Sequence, residues 1–349
     1  MLFVRNAWYP AAWSHELGHA LVPGVMLGEK VVLYRTEGGA PVALEDRCCH
    51  KFLPLSKGKL KGDAVECGYH GMTYAPSGVC IRIPGQTSIP AQARVHAYPA
   101  ADHLGLVWIW PGEAALADRA KLFRLPPYGA PGWTANKGPY TYIRAAYQHL
   151  TDNLLDPAHV SFVHLSTLGS AAMEEIPVET RQDGDTVTTS RWTLDRPPAP
   201  IFRAFREIPG NVDRWQIYQF YPPSISVTDF GIGPVGMGHS DADRDQGMRI
   251  HSCHFIAPET ERTSHYFWMQ IRNFAPGDDA QARAVSRTMT EQFIMAFNED
   301  KAVLEAVQAG EDDSVGRTPV RLGIDNGPQR SRRIVERMIR AERQAEAAE

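Results

Sequence analysis

The hydrophobic residues of the first hundred or so positions occur in short runs separated by Gly, Pro and Asp. Clear examples are KVVLY at 30–34, PVAL at 41–44 and LVWIW at 106–110. Short runs of β-branched and aromatic residues between turn-forming residues are typical of strands, and helical periodicity is hard to find in this part of the chain. The pattern therefore predicts an all-β N-terminal region.

The pattern changes near residue 112. Residues 112–133 are rich in Ala, Pro and Gly, which favours a linker. Beyond the linker, apolar positions recur at helical spacing in some segments and alternate in others, as they do in antiparallel strands. The helical segments are 147–155, 160–165, 280–309 and 328–347, and the alternating ones are 186–194, 214–220 and 248–256. We therefore predict an α+β protein with two domains, 1–115 and 116–349.

Composition narrows the possible partners and location. The chain has 349 residues, of which 43% are hydrophobic and 22% charged, and its net charge is −4. This charge gives no electrostatic reason to expect a nucleic acid or an anionic membrane as a partner. The N-terminal sequence lacks the charged and apolar regions of a secretory signal, and no apolar stretch approaches the roughly 20 residues of a membrane helix. We therefore expect a cytoplasmic protein.

Two paired Cys–His motifs lie in the β-rich region, CCH at 48–50 and CGYH at 67–70. The chain has five cysteines, and an odd number in a long cytoplasmic chain argues against a disulfide framework. Each motif instead supplies one thiolate and one imidazole, which together form the ligand set of a Rieske 2Fe–2S cluster. The predicted cluster ligands are Cys48, His50, Cys67 and His70.

A zinc site is the alternative for this ligand set. Zinc-finger spacing places the two Cys together and the two His together, whereas here each Cys is paired with a His. The spacing therefore favours the iron–sulfur cluster. The remaining thiols are expected to be packing residues, and these are Cys49, Cys80 and Cys253.

A second group of candidate ligands lies in DNLLDPAHVSFVH at 152–164. His159 and His164 are about 140° apart around a continuous helix, so they converge better if the helix is interrupted. Pro157 supplies an interruption, with Asp156 as the cap of a new helix. Two His and one carboxylate form the facial triad that holds Fe(II) and leaves positions open for O₂. We therefore predict a mononuclear iron site here.

The carboxylate ligand of that site must come from another part of the chain. The best candidate segment is FNEDK at 297–301, within the long helical pattern. Position alone does not choose between Glu299 and Asp300. Asp156 taken alone is explained equally well as a helix cap, because Asp-Pro is a common helix start.

Two further motifs suggest other ligands but lack the required context. GIGPVG at 231–236 fits a dinucleotide-binding fingerprint, yet a polar sequence follows where a helix must begin. DADRDQG at 241–247 resembles a calcium loop, but its Gly is one position late and no bidentate Glu follows. We expect a solvated turn there. Without a nucleotide-binding unit, the chain must receive its electrons from another protein.

The two Cys–His motifs occur together with a series of short sequences that extend over nearly the whole chain. They are RNAWY at 5–9, IPG at 83–85, VWIWPG at 107–112, DNLLD at 152–156, PETE at 258–261, YFW at 266–268, RNF at 272–274 and ED at 299–300. In these residues the chain resembles the Rieske non-haem iron aromatic-ring oxygenases, in particular the vanillate O-demethylase and dicamba monooxygenase type.

The resemblance implies an N-terminal Rieske domain and a C-terminal catalytic domain of the helix-grip (START-like) type with an antiparallel sheet. It implies that His159, His164 and Asp300 bind the iron and that Asn153 lies near it without being a firm ligand. In the family, the residue matching Asp156 links the cluster of one subunit to the iron of its neighbour in a head-to-tail homotrimer.

His254 matches a histidine that contacts the substrate in the family, although the residue pattern alone indicates only a strand residue. One departure concerns the first cluster motif. The family often has CPHRG where this chain has CCHKF at 48–52. The ligands are intact, but the cluster potential and the docking of a reductase can differ.

The implied activity is hydroxylation of a small aromatic substrate by O₂, with electrons from NADH delivered by a separate reductase that carries flavin and a ferredoxin-type iron–sulfur centre. Hydroxylation of the methyl carbon of a methoxylated aromatic acid, such as vanillate, gives a hemiacetal that collapses to a phenol and formaldehyde. Aromatic methyl-group hydroxylation and ring (di)hydroxylation by the same centres are alternatives. The non-enzyme alternatives are a Rieske electron-transfer protein, which needs only the first domain, and a non-catalytic helix-grip binding module.

Overall fold

The fold is described from a computed structural model, which covers residues 2–165, 167–169 and 173–347. Close contacts between Cα atoms divide the chain into two compact units. Unit 1 consists of Met1–Phe123, Ala257–Glu261 and Glu342–Glu349, and unit 2 consists of Arg124–Ile256 and Arg262–Ala341. The domain ranges 1–115 and 116–349 stay a prediction about which parts fold independently.

Unit 1 is built from short antiparallel strands in three small sheets. Their orders are β1-β11-β10, β2-β3-β4-β9 and β5-β6-β7-β8. Residues 2–123, all of which the structure describes, contain no α-helix. The predicted strands at 30–34, 41–44 and 106–110 are confirmed. The strands are β1 (Tyr9–Trp13), β2 (Val22–Met26), β3 (Glu29–Arg35), β4 (Pro41–Glu45), β5 (Lys59–Lys61), β6 (Ala64–Glu66), β7 (Thr73–Tyr74), β8 (Cys80–Arg82), β9 (Ala97–Tyr98), β10 (Ala100–His103) and β11 (Leu106–Ile109).

Unit 2 is built around one large antiparallel sheet. Its order is β12-β19-β18-β17-β16-β15-β14, and β13 also pairs with β19. The alternating segments predicted at 186–194, 214–220 and 248–256 lie within β15, β16 and β18. The strands are β12 (Thr134–Lys137), β13 (Thr141–Ile143), β14 (Glu179–Asp183), β15 (Thr186–Arg196), β16 (Val212–Tyr221), β17 (Ile225–Gly233), β18 (Met248–Thr260) and β19 (Thr263–Arg272).

A 34-residue helix packs on this sheet. Its buried positions recur every three or four residues, so they form one stripe along the helix. On this stripe the Phe293 ring lies 6.2 Å from that of Phe230, and the Phe297 ring lies 4.9 Å from that of Trp268. The helices of the described residues are α1 (Tyr147–Asn153), α2 (Val160–Val163), α3 (Pro200–Phe205), α4 (Asp241–Asp245), α5 (Ala280–Asp313), which is this long helix, and α6 (Asn326–Glu346).

The two weak motifs of the sequence occupy ordinary structural positions. The first two glycines of 231–236 lie at the end of β17, and a turn follows them instead of a helix. The solvated turn predicted at 241–247 is wrong, because α4 forms there with Ser240 as its cap. Asp241 and Asp245 of α4 bind Arg249 at 2.7 and 2.6 Å, so their carboxylates are already neutralised. None of the helices in the described part of the chain combines the length and apolarity needed to cross a bilayer.

Candidate metal centres and catalytic pocket

The two Cys–His motifs lie on two loops of unit 1 with the same backbone hydrogen bonds. In the first loop the Cys48 N–H donates to the Leu53 carbonyl at 2.9 Å, and the Phe52 N–H donates to the Cys48 carbonyl at 3.0 Å. The second loop repeats both bonds around Cys67, at 2.8 and 3.1 Å. Each loop therefore presents its thiol and its imidazole in the same way.

Both loops require a left-handed residue four positions after the cysteine. Gly71 takes a φ of 71° in the second loop, and a Cβ there would lie 2.9 Å from the Pro84 side chain. Phe52 takes a φ of 60° at the matching position of the first loop. A side chain in this region costs about 1–2 kcal/mol, so the departure from the CPHRG motif adds local strain without moving the ligands.

The four predicted cluster ligands separate into a buried and an exposed pair. Cys48 and Cys67 are buried, whereas His50 and His70 are exposed, with ring centroids 4.6 Å apart. Burial raises the pKa of the Cys67 thiol, so a bound cation is needed to stabilise the thiolate there. The arrangement fits a Rieske cluster with buried thiolates and solvent-facing imidazoles.

Tyr74 is a contact of this site that the sequence did not indicate. Its hydroxyl lies 3.1 Å from Cys48 Sγ and 3.2 Å from Cys49 Sγ. Cys49 packs at the edge of the unit 1 core, as expected of a packing residue, but its thiol also reaches the tyrosine that contacts a predicted ligand. This contact depends on the folded position of β7 beside the first Cys–His loop, so the sequence could not reveal it.

In unit 2 the structure brings His159, His164 and Asp300 together. One potential ligand atom from each residue lies within 4.8 Å of the other two. Asp300 Oδ1 is 3.1 Å from His164 Nε2 and 3.5 Å from His159 Nε2. Two imidazoles and one carboxylate thus converge on one point, as an iron facial triad requires.

The interrupted helix expected from Pro157 is what makes the two imidazoles converge. Helix α1 ends at Asn153, and α2 has only four residues, with His159 at its N-cap and His164 at its C-cap. Before α2, Asp156 Oδ1 accepts a hydrogen bond from the Ala158 N–H at 2.7 Å. The prediction that Asp156 caps this helix is wrong, because the N-cap of α2 is His159; the Asp156 carboxylate instead closes a local turn before the helix and remains partly exposed.

The ring nitrogens that do not face Asp300 are held by other groups. His164 Nδ1 is hydrogen-bonded to Glu299 Oε2 at 2.8 Å, and His159 Nδ1 to the main-chain carbonyl of Asp156 at 2.5 Å. Such contacts fix the tautomer and orientation of a metal-binding imidazole. The geometry thus separates the two candidate carboxylates: Asp300 faces both imidazoles, and Glu299 supports one of them from behind.

The charges at this site favour cation binding. Burial opposes ionisation of Asp300, but its hydrogen bond with His164 and the charge of His159 outweigh burial and lower its pKa. Burial also opposes protonation of His164, yet Asp300 and Glu299 raise its pKa. For His159, burial dominates and lowers the pKa. Asn153 Nδ2 donates to Asp300 Oδ1 at 3.1 Å, so Asn153 lies beside the triad.

A pocket adjoins the triad and lies between the sheet on one side and α5 on the other. Strands β16, β17 and β18 contribute alternate residues to it, as expected for one face of a sheet. Helix α5 contributes aromatic rings, so the walls are partly apolar. The sheet residues are Arg214, Gln216, Tyr218, Thr228, Phe230, Ser252 and His254, and the residues from α5 are Phe293, Phe297 and Asp300.

His254 lies in the wall of this pocket, where the family resemblance places a substrate contact. It is buried, and its Nδ1 shares a 2.6 Å hydrogen bond with the Tyr266 hydroxyl. Burial lowers the pKa of His254 to about 3. The imidazole is therefore neutral near pH 7 and offers a hydrogen bond but no charge.

The comparisons with known proteins match both units. Residues 7–99 match the Rieske 2Fe–2S domain, and residues 143–341 match the vanillate O-demethylase oxygenase C-terminal domain. The first range contains both Cys–His loops, and the second contains the triad and the pocket. Each of the two candidate centres therefore lies in a separately recognised domain.

Similar proteins extend over the whole chain. The iron–sulfur subunit of the toluene-4-sulfonate monooxygenase system of Comamonas testosteroni is 36% identical over 98% of both chains. A vanillate O-demethylase oxygenase subunit from a Pseudomonas strain is 34% identical over 99% of this chain and 97% of its own.

Among solved structures, dicamba monooxygenase bound to 3,6-dichlorosalicylic acid superposes with a TM-score of 0.88 at 30% identity and 99% coverage of each chain. The α+β fold predicted from the sequence is confirmed by this match. Because both domains are recognised and the relatives match from end to end, the chain belongs to the Rieske non-haem iron oxygenases, enzymes that combine a 2Fe–2S cluster with a non-haem iron.

Proposed function

We propose that this chain is the oxygenase component of an aromatic monooxygenase that removes the methyl group of a methoxylated aromatic acid. The observation that carries the proposal is the convergence of His159, His164 and Asp300 within 4.8 Å at the wall of a pocket between the sheet and α5. A Rieske electron-transfer protein has no use for such a site. The similarity to vanillate O-demethylase and dicamba monooxygenase supports the demethylation.

In this proposal His159, His164 and Asp300 hold the iron, and Cys48, His50, Cys67 and His70 hold the cluster. The donor atoms fit both groups, since the triad is a converging set of two imidazoles and a carboxylate and the cluster site pairs buried thiols with imidazoles. When bound, the cluster supplies single electrons and the iron activates O₂.

The protein residues prepare the site for this chemistry. Glu299 and the Asp156 carbonyl orient the two imidazoles from behind. Phe293 and Phe297 cover the pocket from α5, so the substrate ring is shielded from water. A methoxy carbon held beside the triad is then the nearest oxidisable group, and its hydroxylation releases formaldehyde and a phenol.

The proposed assembly is a head-to-tail homotrimer in which Asp156 faces the cluster of a second copy. Asp156 is followed along the chain by two exposed apolar side chains, Phe162 and Leu165, which are 62% and 56% exposed. In unit 1, Phe52 and Tyr69 are exposed next to the cluster imidazoles. Apolar patches of this kind on a monomer indicate an interface. Contact between the two patches would place the Asp156 carboxylate of one copy near an imidazole of another.

The electrons are proposed to come from NADH through a separate reductase with flavin and a ferredoxin-type iron–sulfur centre. The names of the relatives support a second component, since several are described as the oxygenase component or subunit of a system. The reductase then reduces the cluster, and O₂ is the co-substrate.

A second candidate reaction is hydroxylation of an aromatic methyl group. It is favoured by the toluene-4-sulfonate monooxygenase subunits, which at 36% identity are at least as similar to this chain as the vanillate enzyme. Both reactions oxidise a methyl carbon attached directly or through oxygen to a ring. The same pocket and triad therefore serve either of them.

The test is a turnover assay with iron-loaded enzyme, NADH and a surrogate reductase. The substrates are 4-methoxybenzoate, vanillate, 4-methylbenzoate and toluene-4-sulfonate, and the readouts are O₂ uptake, formaldehyde and hydroxylated product. We expect formaldehyde from the methoxy acids, and none from a His159→Ala variant. O₂ uptake without an oxidised substrate from any member would contradict the proposal, and products from the methyl compounds alone would favour the second reaction.

A further inference from the structure

Arg214 is a charged residue in the wall of the catalytic pocket. It lies on β16, where Arg214, Gln216 and Tyr218 occupy alternate positions and all line the pocket. Its side chain is almost fully buried. A cation in such a place is costly unless something compensates it.

The described residues do not supply that compensation. The Arg214 Nη2 donates to the Leu168 carbonyl at 2.7 Å, and its Nη1 lies 3.1 Å from the sulfur of Met173. Its Nε has no partner in the described part of the chain, and no carboxylate of that part forms an ion pair with it. A guanidinium has five N–H donors, so most of its hydrogen-bonding capacity is unused.

Arg249 shows what a compensated arginine looks like in the same sheet. It is equally buried, but it forms ion pairs with Asp229, Asp241 and Asp245 at 2.5–2.7 Å. Arg249 does not line the pocket. Arg214 does line the pocket, so an anion bound there can supply the partner that the described residues do not.

A second buried arginine makes the positive potential at this end of the pocket stronger. Arg191 donates to the carbonyls of Met173 and Pro157 at 2.8 and 2.6 Å, and its Nε also has no partner among the described residues. Burial, and to a smaller degree the charge of Arg191, lowers the pKa of Arg214 to about 10. Arg214 therefore remains protonated at neutral pH.

We propose that Arg214 binds the anionic group of the aromatic substrate, a carboxylate or a sulfonate, and so selects aryl acids over neutral arenes. This inference rests on the proposed function of the pocket and names the residue that recognises the acid. A guanidinium suits both anions, because its planar fork binds two oxygens at once. His254 is neutral and contributes a hydrogen bond without charge, so it does not substitute for Arg214.

The chemistry predicts a simple selectivity. A ring with a methyl or methoxy group and an acid group would be held with the acid at Arg214 and the methyl carbon toward the triad. A neutral analogue of the same shape would leave the buried guanidinium without its anion. The loss of a hydrogen bond to a charged group corresponds to a decrease of about 10- to 100-fold in affinity.

The experiment measures equilibrium binding by calorimetry on anaerobic, iron-loaded enzyme, so that no turnover is needed. The probes are two matched pairs, 4-methoxybenzoate with 4-methoxybenzamide and toluene-4-sulfonate with toluene-4-sulfonamide. The variants are Arg214→Met and Arg214→Lys, and Thr228→Val serves as a control because Thr228 lines the same pocket without a charge. The visible spectrum and the melting temperature report folding.

We expect wild type to bind each acid about 10-fold or more tighter than its amide. Arg214→Met should raise the Kd of the acids by about 10- to 100-fold and leave the amides within about twofold. The Kd of the acids for Arg214→Lys should lie between the values for wild type and Arg214→Met. Thr228→Val should still bind each acid more tightly than its amide. If only one acid is preferred, the pocket selects carboxylate or sulfonate accordingly.

Equal affinity of wild type for acid and amide would overturn the inference, even if Arg214→Met failed to fold. An unchanged acid preference in a folded Arg214→Met protein would do the same. Failure of the proposed function has a different signature, because acid-selective binding would then be present without any hydroxylated product or formaldehyde in the turnover assay.

Discussion

Glu299 gives the sharpest prediction about how the protein supports its iron site. Its carboxylate lies 2.8 Å from His164 Nδ1, and the other ring nitrogen of His164 faces Asp300. Replacing Glu299 with Gln keeps the size and an acceptor oxygen but removes the charge. Replacing it with Ala removes the acceptor as well. We expect both variants to bind iron more weakly, with the larger loss in Glu299→Ala.

The size of the effect follows from the geometry. Removing the group that orients a metal-binding histidine typically weakens metal binding about 10- to 100-fold, or about 1.4–2.7 kcal/mol. His164 is almost fully buried, but Glu299 is 30% exposed. Solvent therefore screens part of the Glu299 charge, and we expect Glu299→Gln to weaken iron binding by about 10-fold. Glu299→Ala also leaves a buried imidazole nitrogen of His164 without this acceptor, and we expect it to weaken iron binding by about 100-fold.

A matched control lies on the same helix. His149 Nε2 and Glu311 Oε2 are 3.0 Å apart, which is a similar His–Glu pair away from the triad. Iron affinity is measured by competition with a chelator under anaerobic conditions, and the cluster spectrum is recorded alongside. Glu311→Gln should leave iron affinity unchanged, and the cluster spectrum should be unaffected in every variant.

Equal iron affinity in wild type and Glu299→Ala would refute this reasoning. So would a similar loss in Glu311→Gln, since a general change in α5 would then explain both.

Three further predictions concern other parts of the chain. Asp156→Asn keeps an oxygen that can accept the Ala158 N–H, so both metals should stay bound while electron transfer from cluster to iron, followed by single-turnover kinetics, nearly stops. Normal transfer would exclude the bridging role. His159→Ala should lose the mononuclear iron and keep the visible spectrum of the cluster, and loss of the cluster instead would show that the two sites were confused. Asp229→Asn removes the one buried carboxylate among the three that pair with Arg249, and it should lower the free energy of unfolding by roughly 3 kcal/mol, the low end for a buried pair, because Asp241 and Asp245 remain. The exposed ion pair of Asp185 provides the control, and Asp185→Asn should change stability by less than about 1 kcal/mol in the same denaturant titration.

The two Cys–His loops could be predicted from the sequence because their spacing is local, and the ligand role of their side chains stays a prediction. The loops around Cys48 and Cys67 need only a few consecutive residues to define them, and turn chemistry is visible in the amino-acid order. The same holds for the break at Pro157, which explains why His159 and His164 converge. These features depend on neighbours in the chain.

Other features depend on tertiary structure and were not visible in the residues. Glu299 and Asp300 are adjacent, and only the helical phase of α5, about 100° per residue, turns Asp300 toward the imidazoles. The contact of Tyr74 with Cys48 and the position of Arg214 in the pocket wall depend on where their strands lie in the folded chain. Strand β17 (ISVTDFGIG) was not predicted, because its alternation of apolar and polar residues changes phase at Asp229 and two glycines follow, which weaken a strand pattern.

The most direct test of the two-centre assignment is the metal and sulfide content of anaerobically purified, iron-reconstituted protein, combined with its visible spectrum. We expect about three iron atoms and two acid-labile sulfides per chain, with a Rieske-type spectrum. Zinc in place of iron, a colourless protein, or only the two irons of the cluster after reconstitution would contradict the assignment.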